Sequence, residues 1–151
     1  MKIVRTTSDS PDFRELVVLL DNDLDSRYGV LQKHYNQFNR IEANNTVVVA
    51  YLEDIPVGCG CFKKLDNDSV EIKRMFVKDD YRGKGIARKI LTELEKWATE
   101  IGYKNAVLET GSKQFEAINF YTNFGYYRIE NFGQYAGNSN SICMSKSLVE
   151  L

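Results

Sequence analysis

Histidine occurs once, as His34, and cysteine only three times, as Cys59, Cys61 and Cys143. One imidazole, and an odd set of thiols without the paired spacing of a zinc motif, argue against a metal site. Cys59 and Cys61 would share one face of a strand. That reads as small buried hydrophobes in a reducing cytosol, not as a disulfide framework. Charge of one sign is also missing: 20 basic against 21 acidic side chains leave −1. No global field therefore favours nucleic acid or an anionic membrane. No apolar run approaches the ~20 residues of a membrane span. Met1 to Ser10 is polar and lacks the apolar core of a signal peptide. No linker, internal repeat or low-complexity tract breaks the 151 residues. The expectation is one cytoplasmic domain over residues 1–151, long enough to bury a real core.

What is present centres on Val70 to Gly102. Val70-Glu71-Ile72-Lys73-Arg74-Met75-Phe76-Val77 has strand character. Ile86, Ile90, Leu91, Leu94, Trp97, Ala98 and Ile101 recur at three- and four-residue spacing and mark the apolar face of a helix. Arg88, Lys89, Glu93, Lys96 and Glu100 fall on its other face, and Gly102 sits where a left-handed cap ends it. Between strand and helix lies Arg82-Gly83-Lys84-Gly85-Ile86-Ala87. Such a loop aims unpaired N–H groups and the positive end of the helix dipole at one point, which suits phosphate. Gly83 and Gly85 let a ligand approach the backbone, and Arg82 and Lys84 add charge. A glycine-rich turn before a helix can also be only a turn.

The rest of the chain supplies elements around this stretch. Lys2 to Thr6 is a short candidate strand. Ser10 then Pro11 starts a helix, with Phe13, Leu16, Val17 and Leu20 on one face. Asp21-Asn22-Asp23 is expected to weaken or end it. Tyr28, Leu31, Tyr35 and Phe38 suggest a second helix to about Asn39. Thr46 to Leu52, Val57 to Leu65 and the strand at Val70 have short connections and should form an antiparallel meander. Ala106 to Thr110 is a strand, so strand, helix and strand imply a parallel crossover. Ser112 is expected to cap a helix with Phe115, Ile118 and Tyr121 on one face and Gly125 at its end. Tyr126 to Phe132 and Ser141 to Leu148 read as final strands around a Gly/Asn-rich loop, Gly133 to Asn140.

The run Arg82-x-x-Gly85-x-Ala87 resembles the Arg/Gln-x-x-Gly-x-Gly/Ala signature of the GNAT superfamily of acyl-CoA-dependent N-acyltransferases. Met75-Phe76-Val77, Asn119-Phe120-Tyr121 and Gly125-Tyr126 are also similar to that family. The resemblance implies an α/β (α+β) fold: a mixed, mostly antiparallel sheet with one splayed parallel pair and helices on both faces. It implies an N-acetyltransferase that moves acetyl from acetyl-CoA to a primary amine of a small molecule or peptide, with no metal. The loop Arg82, Gly83, Lys84, Gly85, Ile86 and Ala87 would hold the pyrophosphate. The backbone of Met75, Phe76 and Val77 would bond the pantetheine arm, helped by Asn119. The thioester would lie where the two parallel strands part, its carbonyl polarised near Phe76.

Only a neutral amine attacks a thioester, so a base is useful at pH 7. Glu71 stands where some family members carry one; it could equally be a solvent-facing residue or a partner of Lys73 or Arg74. Tyr121 matches the usual donor to the leaving thiolate, although its spacing with Phe115 and Ile118 also fits a core aromatic. Tyr135 is a candidate for lining the acceptor pocket. His34 reads as a surface or packing group, and the stripe Tyr28, Tyr35, Phe38 as core more than substrate cage. A non-catalytic acyl-CoA sensor on the same fold is the alternative. A dinucleotide fragment fails because Arg88 stands where the third glycine belongs, and no Walker phosphate loop is present. Homodimers are common among GNAT proteins, which leaves a pair as an option by analogy.

Overall fold

A computed structural model describes residues 1–28 and 42–149. The expected second helix and His34 lie outside the described residues. The elements are β1 (Lys2–Thr6), α1 (Pro11–Tyr28), β2 (Val47–Leu52), β3 (Ile55–Lys64), β4 (Ser69–Val77), α2 (Ile86–Ile101), β5 (Asn105–Gly111), α3 (Phe115–Asn123), β6 (Tyr127–Ile129) and β7 (Ser141–Ser147). The seven strands form one mixed sheet in the order β1-β2-β3-β4-β5-β7-β6. Its backbone falls into two compact units, residues 1–62 with 74–94 and residues 63–73 with 95–151.

The first unit begins with the expected meander. β1 pairs antiparallel with β2, Val4 facing Val49, and β2 with β3, Val49 facing Cys59. The hairpin turn is tighter than expected. Glu53 and Asp54 both take positive φ, 50° and 68°, and Ile55 already faces Leu52. α1 starts where Ser10-Pro11 places it, with the Phe13 N–H donating to Ser10 Oγ at 3.2 Å. Phe13, Leu16 and Val17 bury against Val47, Val49, Cys59, Cys61 and Phe76. Alternation along β3 turns Gly58 and Gly60 to the opposite side. A Cβ on Gly58 would lie 2.9 Å from both Ile90 Cδ1 and Phe76 O. The two small residues thus let α2 settle close to β3, and helices cover both faces.

α1 corrects one expectation. It runs through Asp21-Asn22-Asp23 to Tyr28. Asp and Asn disfavour helix interiors by competing for the backbone. Here the two carboxylates turn outward to arginines, Asp21 to Arg74 Nη1 at 3.3 Å and Asp23 to Arg82 Nη2 at 3.8 Å.

In the second unit β4 and β5 form the expected parallel pair, Ser69 with Asn105 through Ile72 with Leu108. β5 then pairs antiparallel with β7 along its whole length, and β6 lies outside β7. β6 is shorter than Tyr126 to Phe132 because Asn131 Nδ2 leaves the ladder and donates to Asn138 O (2.9 Å) and Ser141 O (3.1 Å). α2 ends on Gly102 as expected: Tyr103 N–H reaches Ala98 O at 3.0 Å and Gly102 N–H reaches Thr99 O at 3.1 Å. The chain turns away there, so Ile101 stays 54% exposed and drops out of the apolar face. Ser112 does not cap α3. Its N–H donates to Asn140 O, Gln114 precedes the helix, and Phe115 stands exposed at an uncovered first turn.

Candidate active site

In the first unit β4 ends at Val77, a 3-10 turn spans Asp79–Tyr81, and α2 opens at Ile86. Gly83 and Gly85 take φ of 78° and 79°, and a Cβ on either would meet nothing within 4 Å. Only glycine adopts that backbone readily, and the space above it is open. Among the described residues no backbone acceptor faces the N–H groups of Gly83, Lys84, Gly85, Ile86 or Ala87. The loop therefore offers a row of donors at a helix N-terminus, an arrangement chemically able to accept an anion.

Arg82 has a different job from the one its charge suggests. Its Nε donates to Val77 O at 2.8 Å and its Nη1 meets Asp79 Oδ1 at 2.6 Å. The guanidinium also lies 5.6 Å from the Phe76 ring centre. It clamps the loop to the end of β4. Lys84 remains exposed, with its ammonium 5.5 Å from the Tyr81 ring centre. Met75 is half-buried, and Phe76 and Val77 are buried.

Arg74, which the sequence offered only as a partner for Glu71, sits just before them at φ 60° inside a strand. Such a conformation in a residue with a Cβ costs on the order of 1–3 kcal/mol and points to a local purpose. Cys59 Sγ donates to its carbonyl at 3.3 Å. Its side chain is 7% exposed and reaches Asp21 through Nη1. No spacing rule in a sequence signals a left-handed arginine.

In the second unit the structure brings Glu71 and Tyr135 together. Glu71 is buried, not solvent-facing, and Oε2 accepts from the Tyr135 hydroxyl at 2.9 Å. Arg74, weighed as its partner, turns to Asp21 instead. Burial, then the Glu71 and Glu109 carboxylates, push the Tyr135 phenol well above its usual value of 10. Glu109 in turn accepts from Ser141 Oγ at 2.6 Å. Tyr121 is buried in α3, edge-on to Phe120 and Tyr126 at 5.2 and 5.7 Å between ring centres. Burial holds its phenol above its ordinary value, so it keeps its proton through neutral pH. Asn119 is exposed on the same helix.

The Tyr135–Glu71 bond is the feature that the sequence alone did not announce. Tyr135 was a candidate pocket residue in the sequence; the structure buries it, and nothing local joins it to β4.

The sequence profile of the Acetyltransferase (GNAT) family matches residues 11–126. The chain belongs to the GNAT acetyltransferase family. It is 38% identical over 101 residues to the uncharacterized N-acetyltransferase YsnE of Bacillus subtilis, covering 66% of this chain and 67% of that one. It is 31% identical over 137 residues to the IAA acetyltransferase of Azospirillum brasilense, 89% of each chain. In fold it is similar to a Klebsiella pneumoniae chain assigned to the acyl-CoA N-acyltransferases, with TM-score 0.81, 24% identity, and 98% and 97% of the two chains covered. Two more distant chains of the fold, at TM-scores of 0.60 and 0.72, were solved with acetyl-CoA or coenzyme A bound. Among the described residues no cluster of ligating side chains could hold a metal, and no helix is long and apolar enough to cross a membrane.

Proposed function

We propose that this GNAT chain is an acetyl-CoA-dependent N-acetyltransferase that moves acetyl to a primary amine by direct attack on the thioester. The observation that carries this reading is the open row of N–H donors from Gly83 to Ala87 at the start of α2. These donors would bind the cofactor's pyrophosphate. The backbone of Met75, Phe76 and Val77 would hold the pantetheine arm, with Asn119 assisting, and the Phe76 N–H would polarise the thioester carbonyl.

Glu71 is the proposed base. Tyr135 fixes one of its oxygens, leaving the other to take the ammonium proton, directly or through water. The amine nitrogen bonds to the carbonyl carbon and sheds its second proton to solvent, the C–S bond breaks, and coenzyme A leaves as a thiolate. Tyr121 gives that thiolate its proton and recovers one from solvent. Burial keeps the phenol protonated at neutral pH, so it has a proton to give. The three cysteines, buried and outside any disulfide, fit a reducing cytoplasm.

A thermal melt with and without acetyl-CoA, with NADH as control, tests the cofactor. A ligand at a hundredfold its Kd adds roughly 2.7 kcal/mol, on the order of 5–10 °C for such a domain. A shift with acetyl-CoA alone, followed by thiol release on adding an amine, is the expected result. A shift without transfer to any amine would favour the sensor reading. No shift would overturn the cofactor assignment.

A further inference from the structure

Among the described residues, Arg74 Nη2 is the one buried side-chain polar atom without a hydrogen-bond partner. We propose that it receives the carboxylate of the acceptor, so that the substrate is an amino acid or another small amino-carboxylate. The inference rests on the N-acetyltransferase reading of the same site.

Leaving a charged donor buried and unused is destabilising, and folded proteins rarely do it without a reason. The arrangement here is built at some cost. Arg74 is bent into the left-handed region, its carbonyl is held by Cys59 Sγ at 3.3 Å, and its side chain is 7% exposed. The guanidinium is also underused. Its contact to Asp21 is 3.3 Å and involves Nη1 alone, long for a charge-assisted pair and not the two-pronged grip that arginine prefers. Two N–H groups on Nη2 are left without an acceptor, enclosed in this conformation, so a ligand reaches them as a neighbouring side chain moves.

The charge balance selects the ligand. Asp21 already offsets part of the guanidinium charge, which disfavours a phosphate dianion; the two N–H groups of Nη2 match a carboxylate in shape. Position agrees. Arg74 directly precedes Met75, Phe76 and Val77, the stretch proposed to hold the thioester. An acid group seated on Arg74 would keep a nearby amine beside that stretch. Asp21 is 36% exposed, so the α1 edge of the pair lies close to solvent.

The test uses α-amino acids and their matched carboxamides as acceptors, with thiol release as the readout. The wild type is expected to favour acid over amide at least tenfold in kcat/KM. Arg74→Gln should lose that preference through a 10–100-fold drop on the acids, carried by KM. Its acid-to-amide ratio should fall to near one, and its melt shift with acetyl-CoA should persist. Asp21→Asn should keep the preference, since it leaves the arginine in place. If Arg74→Gln does not fold, Arg74→Lys keeps the buried charge with one donor centre and should cut the preference at least fivefold.

Equal use of acids and amides by the wild type overturns the proposal, as does a preference that survives Arg74→Gln. Loss of the acetyl-CoA shift in Arg74→Gln with the acid–amide ratio unchanged would move Nη2 to the cofactor and also overturn it. The enzyme reading fails separately, if the wild type shows no acetyl-CoA shift. Melts with the acids and amides alone then decide: a shift by acids that Arg74→Gln abolishes sustains the carboxylate site, and none removes it.

Discussion

The phenol of Tyr135 donates a 2.9 Å hydrogen bond to Glu71 Oε2, across 64 positions of sequence, and both side chains are buried. A phenol donating to one carboxylate oxygen fixes the direction in which the other points. In the proposed mechanism Glu71 is then oriented before the amine arrives. Glu71→Gln should lower turnover most near neutral pH and least near pH 10, where a lysine-like amine with pKa near 10.4 is already partly neutral. Tyr135→Phe should lower it in the same direction by about tenfold, and the double variant should fall no further than Glu71→Gln. pH–rate profiles of the three variants check this; an unaltered profile in Glu71→Gln removes the base.

Tyr121→Phe keeps the ring that packs edge-on to Phe120 and Tyr126 and deletes only the acid. Turnover is expected to fall on the order of 10²–10⁴-fold. Acetyl-CoA affinity should hold. Steady-state kinetics beside a binding isotherm separate the two, and unchanged turnover would cancel the donor role.

Gly85→Ala puts a methyl on a residue at φ 79° that faces open space. The strain costs about 1–2 kcal/mol of stability. The larger effect should be on the cofactor, because the methyl occupies the path to the loop N–H groups. KM for acetyl-CoA is expected to rise at least tenfold, with a melting drop of a few degrees. Lys84→Ala, which leaves the backbone as it is, should be milder.

Gly58→Ala and Gly60→Ala probe how α2 meets β3. At Gly60 the new Cβ meets the ends of Met75 and Leu94, which can swing aside. At Gly58 it meets Phe76 O at 2.9 Å, and backbone cannot. Overpacking of this kind costs about 1–3 kcal/mol. Urea unfolding should show Gly58→Ala as the less stable of the two, with a side effect on turnover through Phe76.

Stability should break at high pH. The Tyr121, Tyr126 and Tyr135 phenols are all raised, with burial the main cause and the Glu95 carboxylate beside Tyr126 adding to it. A raised acid stays protonated in the fold while the unfolded chain ionises at about 10. Stability is therefore full below pH 10 and declines above it, by about 1.4 kcal/mol per pH unit for each buried phenol. Melting curves from pH 8 to pH 11.5 check this, and Tyr126→Phe should flatten the decline once its own loss is subtracted.

Much of the architecture is legible before any coordinates. Ser10-Pro11 starts a helix because a hydroxyl cap and a fixed φ are properties of two adjacent residues. Ile86 to Ala98 declares a buried helix face because its period is local. The strand, basic glycine loop and helix from Val70 to Gly102 is legible for the same reason, and with it the GNAT membership. Misreadings fall where a neighbour distant in sequence decides. Asp21-Asn22-Asp23 looks like a helix end until Arg74 and Arg82 come alongside. Phe115 and Ile101 look buried until the sheet leaves them uncovered.

The sequence by itself determined the order of the described elements and the glycine-rich loop between β4 and α2, since both depend on residues within one or two turns of each other. Only the tertiary structure decided that Tyr135 holds Glu71, that Arg82 clamps its loop to Val77, and that Arg74 is buried with a donor to spare. Those facts depend on which side chains fold shut against one another, 64 residues apart for Tyr135 and Glu71 and 53 for Arg74 and Asp21. No local period carries that information, because burial and hydrogen-bond partnership are properties of the packed chain.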